Sequence, residues 1–175
     1  MIAMALINNP RILIADEPTT DLDVTVQAQI LELIEKIKEE LSIGVILVTH
    51  DLGVVRDVTQ NVLVMYAGRI VEHGPTPAVF AEPKHPYTWG LMESIPLLEI
   101  ETRDLRAIDG APPSLIHLPT GCAFHPRCTQ AFDGCDRDRP ELDHAEHHRA
   151  ACHLARADRD RIWQERRRRS TDASR

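Results

Sequence analysis

No apolar stretch in these 175 residues approaches the ~20 needed to span a bilayer, so no transmembrane helix is predicted. No basic region precedes the apolar residues at the N-terminus, so no secretory signal is predicted and a cytosolic setting is expected. Residues 1–96 contain no cysteine, and residues 97–175 contain no lysine. No cysteine pair has the C-x2-C spacing commonest in zinc sites. No internal repeat is present, which sets repeat architectures aside.

What remains is an ordinary globular mixture, 43% hydrophobic and 27% charged. Its charge is uneven. Residues 1–96 hold 13 acidic and 6 basic side chains, net −7, whereas residues 97–175 hold 14 of each. All four cysteines lie in that second part. These shifts predict two modules with a boundary near residues 95–110. The one dense basic run, Arg166 to Arg169, reads as a solvated, frayed terminus and supports no nucleic-acid partner.

Residues 1–8 read as the end of an apolar helix closed by Asn9-Pro10. Ile12 to Ala15 form a short, wholly apolar run that suits a buried parallel strand. Asp23 is placed to cap a helix whose apolar residues Ile30, Leu33, Ile34, Ile37 and Leu41 recur at helical spacing, predicting one buried face. Val45 to Val48 are a second strand and Leu52 to Val58 a short helix. Val62–Tyr66 and Arg69–Glu72 alternate about Ala67-Gly68, a hairpin signal. Beyond Gly74, prolines cut the chain into short helical pieces, and beyond Leu105 little periodicity remains. Such a segment needs a metal, a partner or a host domain to order it.

Strand, helix, strand, helix is the pattern of a parallel sheet with flanking helices. Ligands in such sheets bind beyond the carboxyl ends of the strands, where Asp16, Glu17 and His50 stand. Adjacent carboxylates on a rigid strand end point differently, so one can serve a metal while the other addresses a water. A strand ending in Asp-Glu-Pro is also often just a capped turn, and a lone His at a strand end is often structural.

The longer string decides between these. ILIADEPTTDLD, a helix, then VILVTHDLGVV resembles the Walker B motif, D-loop and switch-histidine region of ATP-binding-cassette (ABC) ATPases over residues 1–74. The resemblance implies Asp16 as the Mg²⁺-associated carboxylate and Glu17 as catalytic base. It implies Asp23 in a D-loop at a dimer interface and His50 on the γ-phosphate of ATP. Asp21 departs from the family's usual D-loop, which has Ser-Ala ahead of Leu-Asp. The implied fold is α/β, the C-terminal part of a P-loop ABC ATPase domain, followed by a loop-rich cysteine-containing extension.

The same family cradles phosphates with G-x-x-x-x-G-K-S/T. None of the 8 glycines here falls in that arrangement, and the signature motif and Q-loop are also absent. MIAMAL resembles the segment just after the signature motif, so Met1 is expected to be internal to a longer ancestor. Residues 1–95 are expected to be the C-terminal half of the nucleotide-binding domain, 96–155 the extension, and 156–175 an Arg-rich tail. Hydrolysis by the fragment alone is not expected, because phosphoryl transfer depends on positioning.

AGRIVEHGPTPAVFAEPKHPYTWGLMESIP and GAPPSLIHLPTGCAFHPRC…CHLA, within residues 69–154, resemble the peptide/nickel-type importer ATPases. Cys122, Cys128, Cys135 and Cys152 stand as C-x5-C-x6-C-x16-C. Four thiolates suit Zn²⁺ or an iron–sulfur cluster, and inert thiols are a third reading. His125 and His153 flank cysteines as substitute ligands, and Arg127 and Arg137 are candidates to offset thiolate charge. The resemblance implies the cluster, of the 4Fe–4S type, with Zn²⁺ the alternative.

The implied function is the ATP-binding subunit that energises import of peptides or related small solutes, peripheral on the cytoplasmic face of the membrane. Its implied partners are membrane permease subunits, a second ATPase subunit (homo- or heterodimer) and, indirectly, a substrate-binding protein. A non-catalytic metal- or redox-sensing module left from a truncated ATPase is the alternative. The substrate itself is not legible.

Overall fold

A computed structural model describes residues 2–94 and 107–172, with side chains through Arg169. It is an α/β structure that divides into two compact units, residues 1–59 and 60–175. The boundary expected near 95–110 falls largely on residues outside those described. The observed division comes earlier, between the second helix–strand unit and the hairpin.

In the first unit, α1 (Ile2–Leu6) closes at Asn9, which takes a left-handed φ of 48° and donates its N–H to the Leu6 carbonyl. β1 (Ile12–Asp16) and β2 (Gly44–Val48) pair in parallel, with Ile12 opposite Gly44 and Asp16 opposite Val48. α2 (Val24–Leu41) is the crossover. Asp23 caps it as expected, accepting from the N–H groups of Thr25 and Val26. α3 (Leu52–Val58) starts on Asp51, whose carboxylate accepts from Gly53 and Val54.

Burial in this unit is thinner than the apolar runs predict. In β1 only Leu13 is buried, while Ile12 and Ile14 are 58% and 66% exposed. In α2 only Ile34 is buried, and Leu33 and Leu41 are exposed. The cause is strand count. Two strands have one covered face, and Ile12, Ile14, Ile46 and Val48 alternate onto the other. A run apolar on both faces belongs in a wider sheet covered on both sides.

The second unit is built on β3 (Asn61–Tyr66) and β4 (Arg69–Pro75), antiparallel about Ala67-Gly68. Both turn residues have positive φ, 49° and 75°, as a tight hairpin with right-handed twist requires. α4 (Thr76–Ala81) and α5 (Pro86–Glu93) follow. The late chain returns as β5 (Arg149–Ala150), pairing with Glu72 and His73 of β4.

The core here is polar as well as apolar. Glu72 is fully buried on β4. Its carboxylate accepts from the N–H groups of Lys84 (2.7 Å) and His85 (2.9 Å) and contacts His148 Nε2 at 2.6 Å. Trp89 is fully buried and donates Nε1–H to the Pro83 carbonyl. These bonds fix the Lys84–Thr88 segment on the hairpin.

The tail expected to fray is instead α6 (Arg156–Asp172). Trp163 is buried and donates to the Ala81 carbonyl at 2.9 Å. Arg166 meets the Glu93 carboxylate at 2.9 Å and lies over the Trp89 ring. Lys84, 3% exposed, reaches Asp160 at 2.6 Å. Every one of these partners is distant in sequence.

His85 is wholly buried, and burial is the main reason its pKa falls to about 4. Its Nδ1 accepts from the Tyr87 N–H, which fits a neutral ring. An unfolded chain binds that proton near its ordinary pKa of 6.5, well before the folded one does. The unit therefore loses stability as pH falls from about 6.5 toward 4. In metal-free protein, the His85 ring resonances should hold steady from pH 7 to 5 and move only near pH 4. A midpoint near 6.5 in folded protein would contradict the burial.

Candidate nucleotide and cysteine sites

Of the residues singled out by sequence, three gather at the ends of β1 and β2. Asp16 is the last residue of β1 and is exposed. Glu17 follows with a left-handed φ of 50°, and its N–H bonds the Val48 carbonyl at 2.9 Å. A non-glycine residue held at positive φ is costly and marks a backbone set by its surroundings. The bend turns the Glu17 carboxylate toward His50, whose Nδ1 lies 2.9 Å away. Thr20 Oγ1 donates to the same carboxylate.

The pair biases both groups. The His50 bond, then the Thr20 bond, lowers the Glu17 pKa. The Glu17 bond raises the His50 pKa. Carboxylate and imidazolium therefore favour each other, at a site open to solvent. Asp23 stands apart from this pair, with its side chain engaged in capping α2. Thr20 was missed. It lies within the ILIADEPTTDLD string, but nothing in its type or spacing announces a bond to Glu17.

In the second unit, Cys122, Cys128, Cys135 and Cys152 line one cavity with His85, His125 and His153. The 31 residues from Cys122 to Cys152 are thus folded around a common space. Gly121 permits this. It adopts a φ of +67°, and a Cβ there would stand 2.4 Å from the Cys135 carbonyl oxygen. That approach allows the Cys122 N–H to bond the same oxygen at 2.8 Å. The segment is seated by aromatic packing. Phe124 meets Tyr66, Tyr87 and His85 with ring centroids 5.2, 5.4 and 5.9 Å apart. The two stretches that looked distinctive in sequence, around His85–Thr88 and Gly121–Cys128, therefore pack on each other.

The cysteines are all free thiols. Burial raises the pKa values of Cys122, Cys152 and Cys128, the last to about 11. Any metal must displace their protons on binding. His125 Nδ1 contacts the Cys122 carbonyl at 2.9 Å and His153 Nε2 the Asp138 carbonyl at 2.7 Å, so each ring has one nitrogen engaged by backbone. A tetrahedral zinc site holds sulfurs about 3.8 Å apart, given Zn–S bonds of about 2.3 Å. Among the described residues, no three His, Cys, Asp or Glu side chains stand close enough together to hold a single ion. The thiols surround a shared space instead.

The arginines expected to balance thiolate charge are engaged with other partners or exposed. Arg127 is spent on the carbonyls of Asp109 and Ile108 and on the Tyr66 hydroxyl. Arg137 is exposed. No described helix is long and apolar enough to cross a membrane.

Residues 71–135 match the family described as oligopeptide/dipeptide transporter, C-terminal region. A putative peptide import ATP-binding protein of Brucella ovis is 54% identical over 86% of this chain and 47% of its own length. The oligopeptide transport ATP-binding protein OppD of Salmonella typhimurium is 51% identical over 80% of this chain and 42% of its own. The dipeptide transport ATP-binding protein DppD of Bacillus subtilis is 54% identical over 80% and 42%. A solved structure, cbiO1 of Clostridium perfringens from an ABC transporter complex, shares 41% identity over 46% of this chain and 32% of its own. Its TM-score of 0.43 is too low to argue a fold from. The chain spans about half the length of the curated relatives it matches. Over most of its length it is similar to oligopeptide and dipeptide transport ATP-binding proteins, and residues 71–135 carry the match to that family's C-terminal region.

Proposed function

We propose that this chain is the Walker B, D-loop and switch-histidine portion of an ABC-type transport ATPase that energises peptide import. The observation that carries the reading is the Glu17–His50 pair at the ends of two adjacent parallel strands, in a chain related to peptide-import ATP-binding proteins. Asp16 would hold Mg²⁺ of a bound Mg²⁺·ATP, which supplies the phosphoryl group. Glu17 accepts a proton from the attacking water at its carboxylate, and Thr20 and His50 orient that carboxylate. When His50 turns to a terminal phosphate, Glu17 loses the partner that most lowers its pKa. Its basicity then rises only with nucleotide present. Asp23 holds the D-loop end of α2 and, by resemblance, faces a second ATPase subunit.

The working assembly is that pair of ATPase subunits on a membrane permease pair, at the cytoplasmic face, with a substrate-binding protein delivering the solute. The four cysteines bind a metal group. The resemblance makes that group an iron–sulfur cluster, with Zn²⁺ the alternative, and the four cysteines line one cavity that would receive it.

The absent phosphate-binding loop leaves Mg²⁺·ATP few anchors on this chain by itself. The purified chain should therefore show no Mg²⁺-dependent ATPase activity above a Glu17→Gln control. Steady turnover that the control abolishes would overturn this.

A further inference from the structure

The buried charges of the second unit are paired, with one partial exception. Lys84 has Asp160 and Glu82, and Glu72 has three donors. Arg159, 3% exposed, donates from Nη2 to Asp143 Oδ2 at 2.8 Å. Its Nε and Nη1 have no hydrogen-bond partner among the described residues. A guanidinium keeps its charge in folded proteins and offers donors in a fixed plane. Leaving part of it unmet in the interior costs stability and demands an explanation.

Its position supplies one. Asp143 Oδ1 accepts from the Ala150 N–H, two residues before Cys152. The Arg159 N–H bonds the Ala155 carbonyl, three residues after Cys152. The guanidinium is thus pinned beside the short stretch carrying Cys152, His153 and Leu154 to the cavity wall.

We propose that Arg159 is the positioning cation of the cysteine site: it offsets the negative charge of four gathered thiolates and directs its unpartnered N–H groups toward them. This rests on the metal-binding reading of the cysteines. Four deprotonated ligands in a partly buried space repel one another, and a fixed internal cation lowers that cost. Arg127 and Arg137 are engaged elsewhere or exposed, and Arg149 and Arg156, which flank Cys152, are exposed and donate to the Ala145 and His148 carbonyls. Arg159 is invisible to spacing arguments because it arrives from a helix beyond the last cysteine.

The test uses the full chain loaded anaerobically with iron and sulfide. The readouts are the reduction midpoint and the rate of metal loss to a chelator. Arg159→Gln should lower the midpoint and speed metal loss about tenfold or more, the usual size of an outer-shell effect. Arg159→Lys should largely restore both. Asp143→Asn, which removes the opposing charge, should move the midpoint the other way. A merely structural ion pair predicts that Arg159→Gln and Asp143→Asn act in the same direction, and that result overturns the proposal. So do unchanged midpoints and release rates in both. Should Arg159→Gln fail to fold, Asp143→Asn decides: a raised midpoint with slower metal loss supports the proposal, and a lowered or unchanged midpoint overturns it. If the site takes up zinc in place of iron, the release rates carry the test alone. Wild-type protein that takes up no metal would instead refute the metal reading itself, and this inference with it.

Discussion

Glu17→Gln should reduce ATP turnover at least about a hundredfold in a protein that joins this chain to a segment carrying the phosphate-binding loop. Loss of a positioned base typically costs about 10²–10⁴ in rate. The geometry makes this substitution informative. Gln keeps the size of the side chain and can still accept from Thr20, so the left-handed bend at Glu17 is preserved. What it removes is the site for the proton. ATP binding should survive, since the phosphate anchors lie elsewhere. His50→Ala should also slow hydrolysis with binding largely retained, because it removes the group proposed to meet the terminal phosphate as Glu17 takes the proton. Turnover near the parent level in Glu17→Gln would show that another group takes the proton.

The largest stability effect is expected at Glu72. Its two oxygens face N–H donors on both sides, from Lys84 and His85, with His148 beside one of them. Glu72→Gln replaces one oxygen with an NH₂ group, so at least one backbone N–H would face another donor in the interior. Removing one partner from a buried charged network costs about 3–5 kcal/mol. Denaturant unfolding of the second unit should lose stability on that scale, with cysteine accessibility rising in parallel. A loss below about 1 kcal/mol would mean that the network is not the anchor it looks to be.

Local signals were readable wherever local chemistry decides. Asp23 before an apolar periodic run caps α2, and α3 covers Leu52–Val58 as the pattern indicates. Ala67-Gly68 makes the turn, since positive φ at both positions is demanded on the spot. Exposure of Ile12 and Ile14 was not readable, because burial depends on how many strands stand alongside. The helix over 156–172 was missed for a related reason. RADRDRIWQERRRR has almost no apolar periodicity, and Trp163, Lys84 and Arg166 hold it through partners more than 70 residues distant. At the candidate nucleotide site, the string names Glu17 and His50, but only the fold brings their side chains to hydrogen-bonding distance. At the cysteines, spacing names the ligand candidates but does not reach the cation proposed for them. A guanidinium acts where the chain carries it in space, and Arg159 enters from α6.

The late strand β5 has a consequence for how the protein is made. His148, which meets the buried Glu72 carboxylate, lies 76 residues downstream of it. At elongation rates of about 5–20 residues per second, Glu72 is synthesised roughly 4–15 s before its partner. During that interval β4 has an open edge and Trp89 lacks the helix that brings Arg166 over its ring. A nascent hairpin in that state is a natural ligand for a holding chaperone, and a ribosome stalled between codons 90 and 148 would leave it there.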